Sequence, residues 1–356
     1  MGNCGAVLLV TLHKNTSGDH MRRLFGIAFA LTLAAPAAMA QTEIKFTLDW
    51  KFEAPAAPFF IAQDKGYFEE EGLSVTIDTG AGSRESIPRV ATGAYQMGFG
   101  DINALIKLLD EQPDLKVKAV MMAYERPPFA VIGRKSLGVT EDPKSLEGKK
   151  LGAPPPDAAF GQWPAFVDVA GLDTSGMTIE NVGFPVREPM LAQGQVDAIF
   201  GFSFSSVINL KSQGVPVDDI ATILMAENGL DLYGNVVMVN TDFAESNPEA
   251  VKGFVKALVR GFLDTIADPE ASVPYVLKRN EVLDEATETD RILMAVDGSI
   301  ATPAVKANGF GGVDMAKLAK SMEYLKTSMG VSDTPPAPER VFDPSYLPPV
   351  EERMIK

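Results

Sequence analysis

Of 356 residues, one is cysteine (Cys4) and two are histidine (His13 and His20), and all three fall within the first twenty positions. From residue 41 onward the chain has neither. That absence excludes Ser-His-Asp and Cys-His nucleophilic catalysis from the body of the chain. Disulfides, zinc sites built from thiolate or imidazole, and haem held by His or Cys are excluded with them. Basic residues are also short: 32 Lys+Arg stand against 47 Asp+Glu, a formal net charge of -15. Phosphate recognition and docking on anionic lipid both rely on clustered cations, so nucleic-acid and membrane-surface partners are not expected. Tryptophan is limited to Trp50 and Trp163.

What is present begins with a leader pattern. Met21-Arg22-Arg23 precedes the apolar run 24–35, and Ala38-Met39-Ala40 precedes Gln41. A basic start, a short apolar stretch and an A-x-A site describe a secretory signal peptide, and the run is too short for the roughly 20 residues of a membrane span. The expectation is that Met21 is the true start and that cleavage follows Ala40. Removing residues 1–40 takes away Lys14, Arg22, Arg23 and Asp19, which leaves 29 basic and 46 acidic residues and a net charge of −17. Gln41 stands where a lipoprotein needs cysteine, so a free periplasmic protein is expected.

Beyond residue 41 the pattern alternates strand and helix, the mark of an α/β protein. Strands are predicted at 44–48, 73–77, 96–98, 117–123 and 129–133, with helices at 58–64, 84–92 and 103–110. A second series places strands at 150–153, 178–182 and 198–202, and helices through 166–170 and 190–194. After a strand at 236–240 the chain reads as helical at 248–267, 269–278, 285–296 and 315–329. The proline-rich tail 334–349 is expected to pack as an extended strap. Two such series imply two lobes and a ligand cleft lined by loops at strand carboxyl ends.

Several segments carry a resemblance: Asp49-Trp50 with residues 57–73, then 93–100, 145–152, 194–199, 231–235 and 247–251. In this order and spacing they resemble the SsuA/THI5-like (NMT1) periplasmic binding proteins of ABC importers for nitrate, sulfonate, taurine and thiamine precursors. The resemblance implies the type II periplasmic-binding fold, two lobes with a hinged cleft. Lobe one would comprise 41–128 and 236–356, and lobe two 129–235. It also implies a small-molecule ligand, an inner-membrane ABC permease as partner, and a monomer without a cofactor or metal.

Candidate ligand contacts sit in the predicted loops. Trp50, Phe52, Tyr124, Phe202 and Tyr233 could stack on a planar ligand or pack beneath their own loops. Trp163 and Phe160 are weaker candidates of the same kind. Ser83 and Arg84, after Gly80-Ala81-Gly82, could meet a ligand at a helix start, although Ser83 also reads as a cap; Asp101 and Asp157 carry the same ambiguity. Glu53, Glu227 and Asp231 add acceptors that suit N–H donors or positive charge. Arg84, Arg126 and Arg187 keep an anionic ligand open. A nitrogen heterocycle such as a pyrimidine is the preferred ligand, with sulfonate, taurine or nitrate as the alternative.

The same family includes fungal thiamine-pyrimidine synthases, whose pattern pairs a pyridoxal-phosphate lysine with a histidine after the Asp-Trp motif and adds a cysteine-rich iron site. Here Lys51-Phe52-Glu53-Ala54-Pro55-Ala56-Ala57 follows Trp50 without that histidine. No catalytic residue is therefore assigned, and a binding protein rather than an enzyme is expected.

Overall fold

The computed structural model describes residues 41–328 and 330–356, so the expected leader and its cleavage site lie outside the described residues. Ten strands form two five-stranded sheets. In the first, β1 (Thr42–Thr47), β2 (Leu73–Asp78) and β3 (Met97–Asp101) are parallel, each pair joined through a helix. β4 (Val117–Met122) closes one edge. The second sheet repeats the plan with β5 (Phe129–Arg134), β6 (Lys150–Ala153), β7 (Thr178–Asn181), β8 (Ala198–Phe202) and β9 (Ile220–Leu224). Then β10 (Asn235–Asn240) returns to the first sheet and lies antiparallel between β3 and β4. The orders are β2-β1-β3-β10-β4 and β7-β6-β8-β5-β9. Each sheet thus has one strand that runs against its parallel core, β10 in the first and β5 in the second.

The chain crosses between the sheets twice, through 123–128 and 225–234. Parallel strands need helical crossovers, and these place the strand carboxyl ends of both sheets at one cleft.

The first lobe is held by an aromatic core. Phe46 on β1 packs against Phe59 and Phe254, and Phe262 stacks on Phe310 with centroids 4.6 Å apart. Phe254 and Phe262 come from the helix Pro248–Ala267, whose apolar positions recur at helical spacing and whose start is set by Asn247-Pro248. Gly261 lets this helix press against Ala57–Asp64, because a Cβ there would sit 2.2 Å from the Pro58 carbonyl oxygen. The tail returns to this lobe: Phe342 is fully buried, Asp343 N–H donates to the Ala119 carbonyl (2.9 Å), and Arg340 reaches the Val117 carbonyl (2.8 Å).

Several elements lie where the sequence pattern predicts none, among them β9, the helices Ser203–Ser212, Thr241–Ser246 and Pro303–Asn308, and a turn at Val296–Ile300. β9 is a short apolar run that periodicity cannot separate from other buried segments. The helix Ser203–Ser212 opens Ser-Phe-Ser-Ser, a poor helix start by propensity, and its serines are tied down by tertiary hydrogen bonds instead. A π-turn at Val296–Ile300 extends the helix Glu285–Ala295.

Candidate functional site

β1 delivers Leu48-Asp49-Trp50 to the cleft. The turn is locked from the next unit: Gly82 N–H donates to the Asp49 carbonyl (2.7 Å), and Gly80 N–H to the Trp50 carbonyl (3.2 Å). Gly80 is required there, since a Cβ would stand 2.2 Å from the Leu48 carbonyl oxygen. The Asp49 carboxylate is buried and accepts from Ser83 Oγ (3.0 Å) and Asn235 Nδ2 (2.6 Å). Burial nevertheless dominates and pushes its pKa up to about 6. One strand along, Asp101 caps the helix Ile102–Glu111, accepting from Asn103 and Ala104 N–H, and burial pushes it up to about 7. Ser83 joins the two by donating to Asp49 and accepting from Asp101 N–H (3.1 Å).

The second lobe contributes a buried ion cluster. Arg187, in the helix Phe184–Ala192, is fully enclosed. Its Nε and Nη2 donate to Glu188 Oε1 (3.0 and 2.5 Å), and Nη1 to Asp157 Oδ2 (3.2 Å). Ser206 Oγ also donates to Glu188 (2.9 Å). Burial works against charge on all three groups. For Arg187 the two carboxylates outweigh it and raise the pKa, and for Glu188 the guanidinium outweighs it and lowers the pKa. Asp157 goes the other way: burial outweighs Arg187 and raises its pKa.

The lobes meet directly. Trp50 packs edge-on against Phe184, with centroids 4.6 Å apart, and the Arg187 guanidinium lies 5.8 Å from the indole centroid. Glu53 Oε2 accepts from Trp50 Nε1 (3.1 Å) and from Ser205 Oγ across the cleft (3.1 Å). Gln162 Nε2 crosses to Asp101 Oδ2 (3.0 Å). Arg291 binds the Phe204 and Ser205 carbonyls and Asn209 Oδ1, tying the helix Glu285–Ala295 to the helix Ser203–Ser212. Between them lies a cavity of about 50 Å³. Its walls are aromatic, from Trp50, Phe59, Phe99 and Tyr124 on one side and Phe184, Phe202 and Phe204 on the other. Asp49, Glu53, Asp157, Ser83 and Ser205 supply acceptors and hydroxyls, while the lining cations are Arg187 and Lys51.

Six of the predicted ligand contacts line this cavity together, Trp50, Glu53, Ser83, Tyr124, Asp157 and Phe202, and so does the candidate cation Arg187. Asp101 stands one hydrogen bond behind Ser83. The other five lie elsewhere. Phe52 packs edge-on against Phe60, and Arg84 points to solvent. Glu227 is exposed and pairs with Arg126 (2.9 Å), and Asp231 is exposed and pairs with Lys317 (3.0 Å). Tyr233 is buried with its hydroxyl accepting from Asp314 N–H (2.9 Å) and its ring beneath Lys317. Trp163 packs on Phe166 and Phe200, and Phe160 also packs on Phe200, away from the cavity. Sequence reasoning missed Asp49, Phe184 and Ser205 in the cavity wall, and Glu188 behind it. For Asp49 the signal was available, because it directly precedes Trp50 at the same strand end.

Residues 54–272 match the family model described as NMT1/THI5 like. The riboflavin-binding protein RibY of Chloroflexus aurantiacus is 27% identical over 257 residues, covering 70% of this chain and 70% of that one. A 4-amino-5-hydroxymethyl-2-methylpyrimidine phosphate synthase of Aspergillus parasiticus is 29% identical over 245 residues, 66% of this chain and 70% of its own. Among solved structures, the alkanesulfonate-binding protein SsuA from Xanthomonas axonopodis pv. citri, bound to MOPS, superposes with a TM-score of 0.65 at 14% identity. That match covers 85% of this chain and 99% of SsuA. The likeness shows the fold, an α/β type II periplasmic-binding architecture of two lobes and a cleft.

Proposed function

The chain belongs to the NMT1/THI5-like family, and from that premise we propose that it is the periplasmic solute-binding component of an ABC importer. Its ligand would be a small planar nitrogen heterocycle, pyrimidine-like rather than anionic. Lobe one is taken as 41–128 with 236–356 and lobe two as 129–235. The two crossings act as the hinge, and closure delivers the ligand to an inner-membrane permease. One observation carries the reading: aromatic walls from both lobes surround buried carboxylates, and the buried cation among them is already paired. Flat π-faces sandwich a ring, while Asp49 and Asp157 accept from ring N–H or amino groups.

The cavity size refines the choice. About 50 Å³ holds only a few waters, whereas drug-sized ligand sites run to roughly 300–1,000 Å³. A single-ring ligand requires a smaller separation of the lobes than a tricyclic flavin, which favours the pyrimidine.

The synthase reading draws on the Aspergillus relative, but the residues present do not fit its cofactor chemistry. Lys51 is exposed, with Nζ 5.2 Å from the Trp50 ring centroid, and residues 41–356 hold no histidine or cysteine. A phosphate would also need free cationic donors, and Arg187 is committed to two carboxylates.

The test is mass spectrometry of what co-purifies with protein from the periplasm, followed by thermal-shift titration. 4-Amino-5-hydroxymethyl-2-methylpyrimidine, riboflavin and taurine serve as probes. A ligand at 100 times its Kd adds about 2.7 kcal/mol of stability. Stabilisation by taurine and by neither heterocycle would sink the proposal.

A further inference from the structure

We propose that Glu188 is the specificity-determining residue that makes this cleft reject anions, by cancelling the charge of Arg187 inside the binding wall. The inference rests on the proposed binding role of the same cavity and names the charge class of ligand that it admits.

Arg187 is the buried cation of the wall and reaches the cavity beside Trp50. In a dry, aromatic-lined cleft a free guanidinium would be the natural seat for a sulfonate or nitrate, through forked charge-assisted donors. Here the fork is occupied by protein carboxylates. Nε and Nη2 both end on Glu188 Oε1, and Nη1 ends on Asp157 Oδ2. Glu188 does not line the cavity; it stands behind Arg187, itself buried and steadied by Ser206 Oγ.

The buried group is therefore two carboxylates around one guanidinium; on the facing lobe Asp49 adds a further carboxylate, while Glu53 is partnered by Arg291 at 3.4 Å. An anion entering would meet an excess of carboxylates and find the N–H groups that Nε, Nη1 and Nη2 direct at them already taken. To take those N–H groups as a fork, it would have to displace a buried carboxylate from Arg187, which leaves that carboxylate unpaired in low dielectric. A neutral or cationic ring with N–H groups meets the same wall as a set of acceptors. Asp157 tunes the wall from within the cavity, while Glu188 sets its sign from behind.

The experiment is calorimetric titration of ethanesulfonate and of sodium nitrate into the mature protein and its Glu188→Gln and Asp157→Asn variants, with melting temperatures recorded for each. Glutamine keeps the shape of the site and an acceptor for Arg187 but removes one negative charge. With one carboxylate charge removed, Arg187 can make charge-assisted bonds to an incoming anion, so Glu188→Gln should bind at least one of the two anions about tenfold or more tighter than the parent. Adding Arg187→Gln to Glu188→Gln should erase that gain. Should Glu188→Gln not fold, Asp157→Asn carries the same expectation, because it too removes one carboxylate from Arg187. The proposal is overturned if the parent protein already binds either anion in an Arg187-dependent way. It is equally overturned if folded variants bind both anions no better than the parent. Failure of the pyrimidine probe to bind, with the anion gain intact, would count against the proposed heterocycle and leave the charge filter standing.

Discussion

Trp50 sits half-buried against Phe184, beneath the Arg187 guanidinium, with its indole N–H held by Glu53. It is a wall of the cavity rather than part of the phenylalanine core around Phe46. Losing an aromatic stacking partner costs about 0.5–1.5 kcal/mol beyond the area it buries. Trp50→Ala should therefore weaken binding of the pyrimidine probe roughly tenfold while moving the ligand-free melting temperature little. A core tryptophan would instead lose about 3–5 kcal/mol of stability, so a large melting-temperature drop at unchanged Kd would make Trp50 structural. Asp101 leads to a pH expectation. Burial holds its folded pKa near 7, above the ordinary carboxylate value of 3.8, so between these values the folded state binds more protons than the unfolded one. Stability then falls as pH rises from about 4 to 7, by an amount on the order of a few kcal/mol from this group. Asp101→Asn keeps a cap for the helix Ile102–Glu111 and removes the titration. In denaturant melts, the stability at pH 4 minus that at pH 8 should be smaller for the variant than for the parent, and an equal value would count against the buried carboxylate as its source.

At the scale of elements, the seam between Ala57–Asp64 and Pro248–Ala267 is the tightest test. Alanine is the better helix former, yet at Gly261 its methyl would lie 2.2 Å from the Pro58 carbonyl oxygen. Overpacking costs about 1–3 kcal/mol, so Gly261→Ala should lower stability by about that amount in urea melts; a gain would mean the helices can slide apart freely. This helix was legible in the sequence to the residue, because Asn247-Pro248 marks its start and the apolar stripe is continuous. β6 and β8 were equally legible, being short apolar runs bounded by turns. The site was legible in its loops and not in its helices. Trp50, Ser83 and Asp157 follow strand ends, where the rule of carboxyl-end loops applies. Ser205 and Glu188 lie within helices, where Ser205 meets Glu53 only through tertiary packing and Glu188 meets its chain neighbour Arg187. Arg187 itself reads as a cation available to an anion, because successive residues of a helix do not ordinarily face each other and its other partner, Asp157, is 30 residues away. Glu227 and Asp231 were chosen as loop acids, and they are surface partners of Arg126 and Lys317.

For the whole molecule, approach of the lobes depends on Gly82, which has φ +100° and passes so close to the second lobe that a Cβ would stand 2.5 Å from the Pro156 carbonyl oxygen. Gly82→Ala adds backbone strain and a wedge at the cleft. Its expected signature is a binding defect of tenfold or more together with a larger radius of gyration by small-angle scattering at saturating probe; parent-like scattering and affinity would show that the lobes need not come this near. The position of β10 has a separate consequence, for the order in which the molecule can be assembled. The second sheet is drawn from one uninterrupted stretch, 129–224, whereas the first has residues 235–240 as an inner strand, hydrogen-bonded on both sides. A nascent chain that stops short of residue 235 can complete the second sheet. It leaves β3 and β4 facing each other across an empty row of donors and acceptors, so these two early-made strands wait for a partner made more than a hundred residues later.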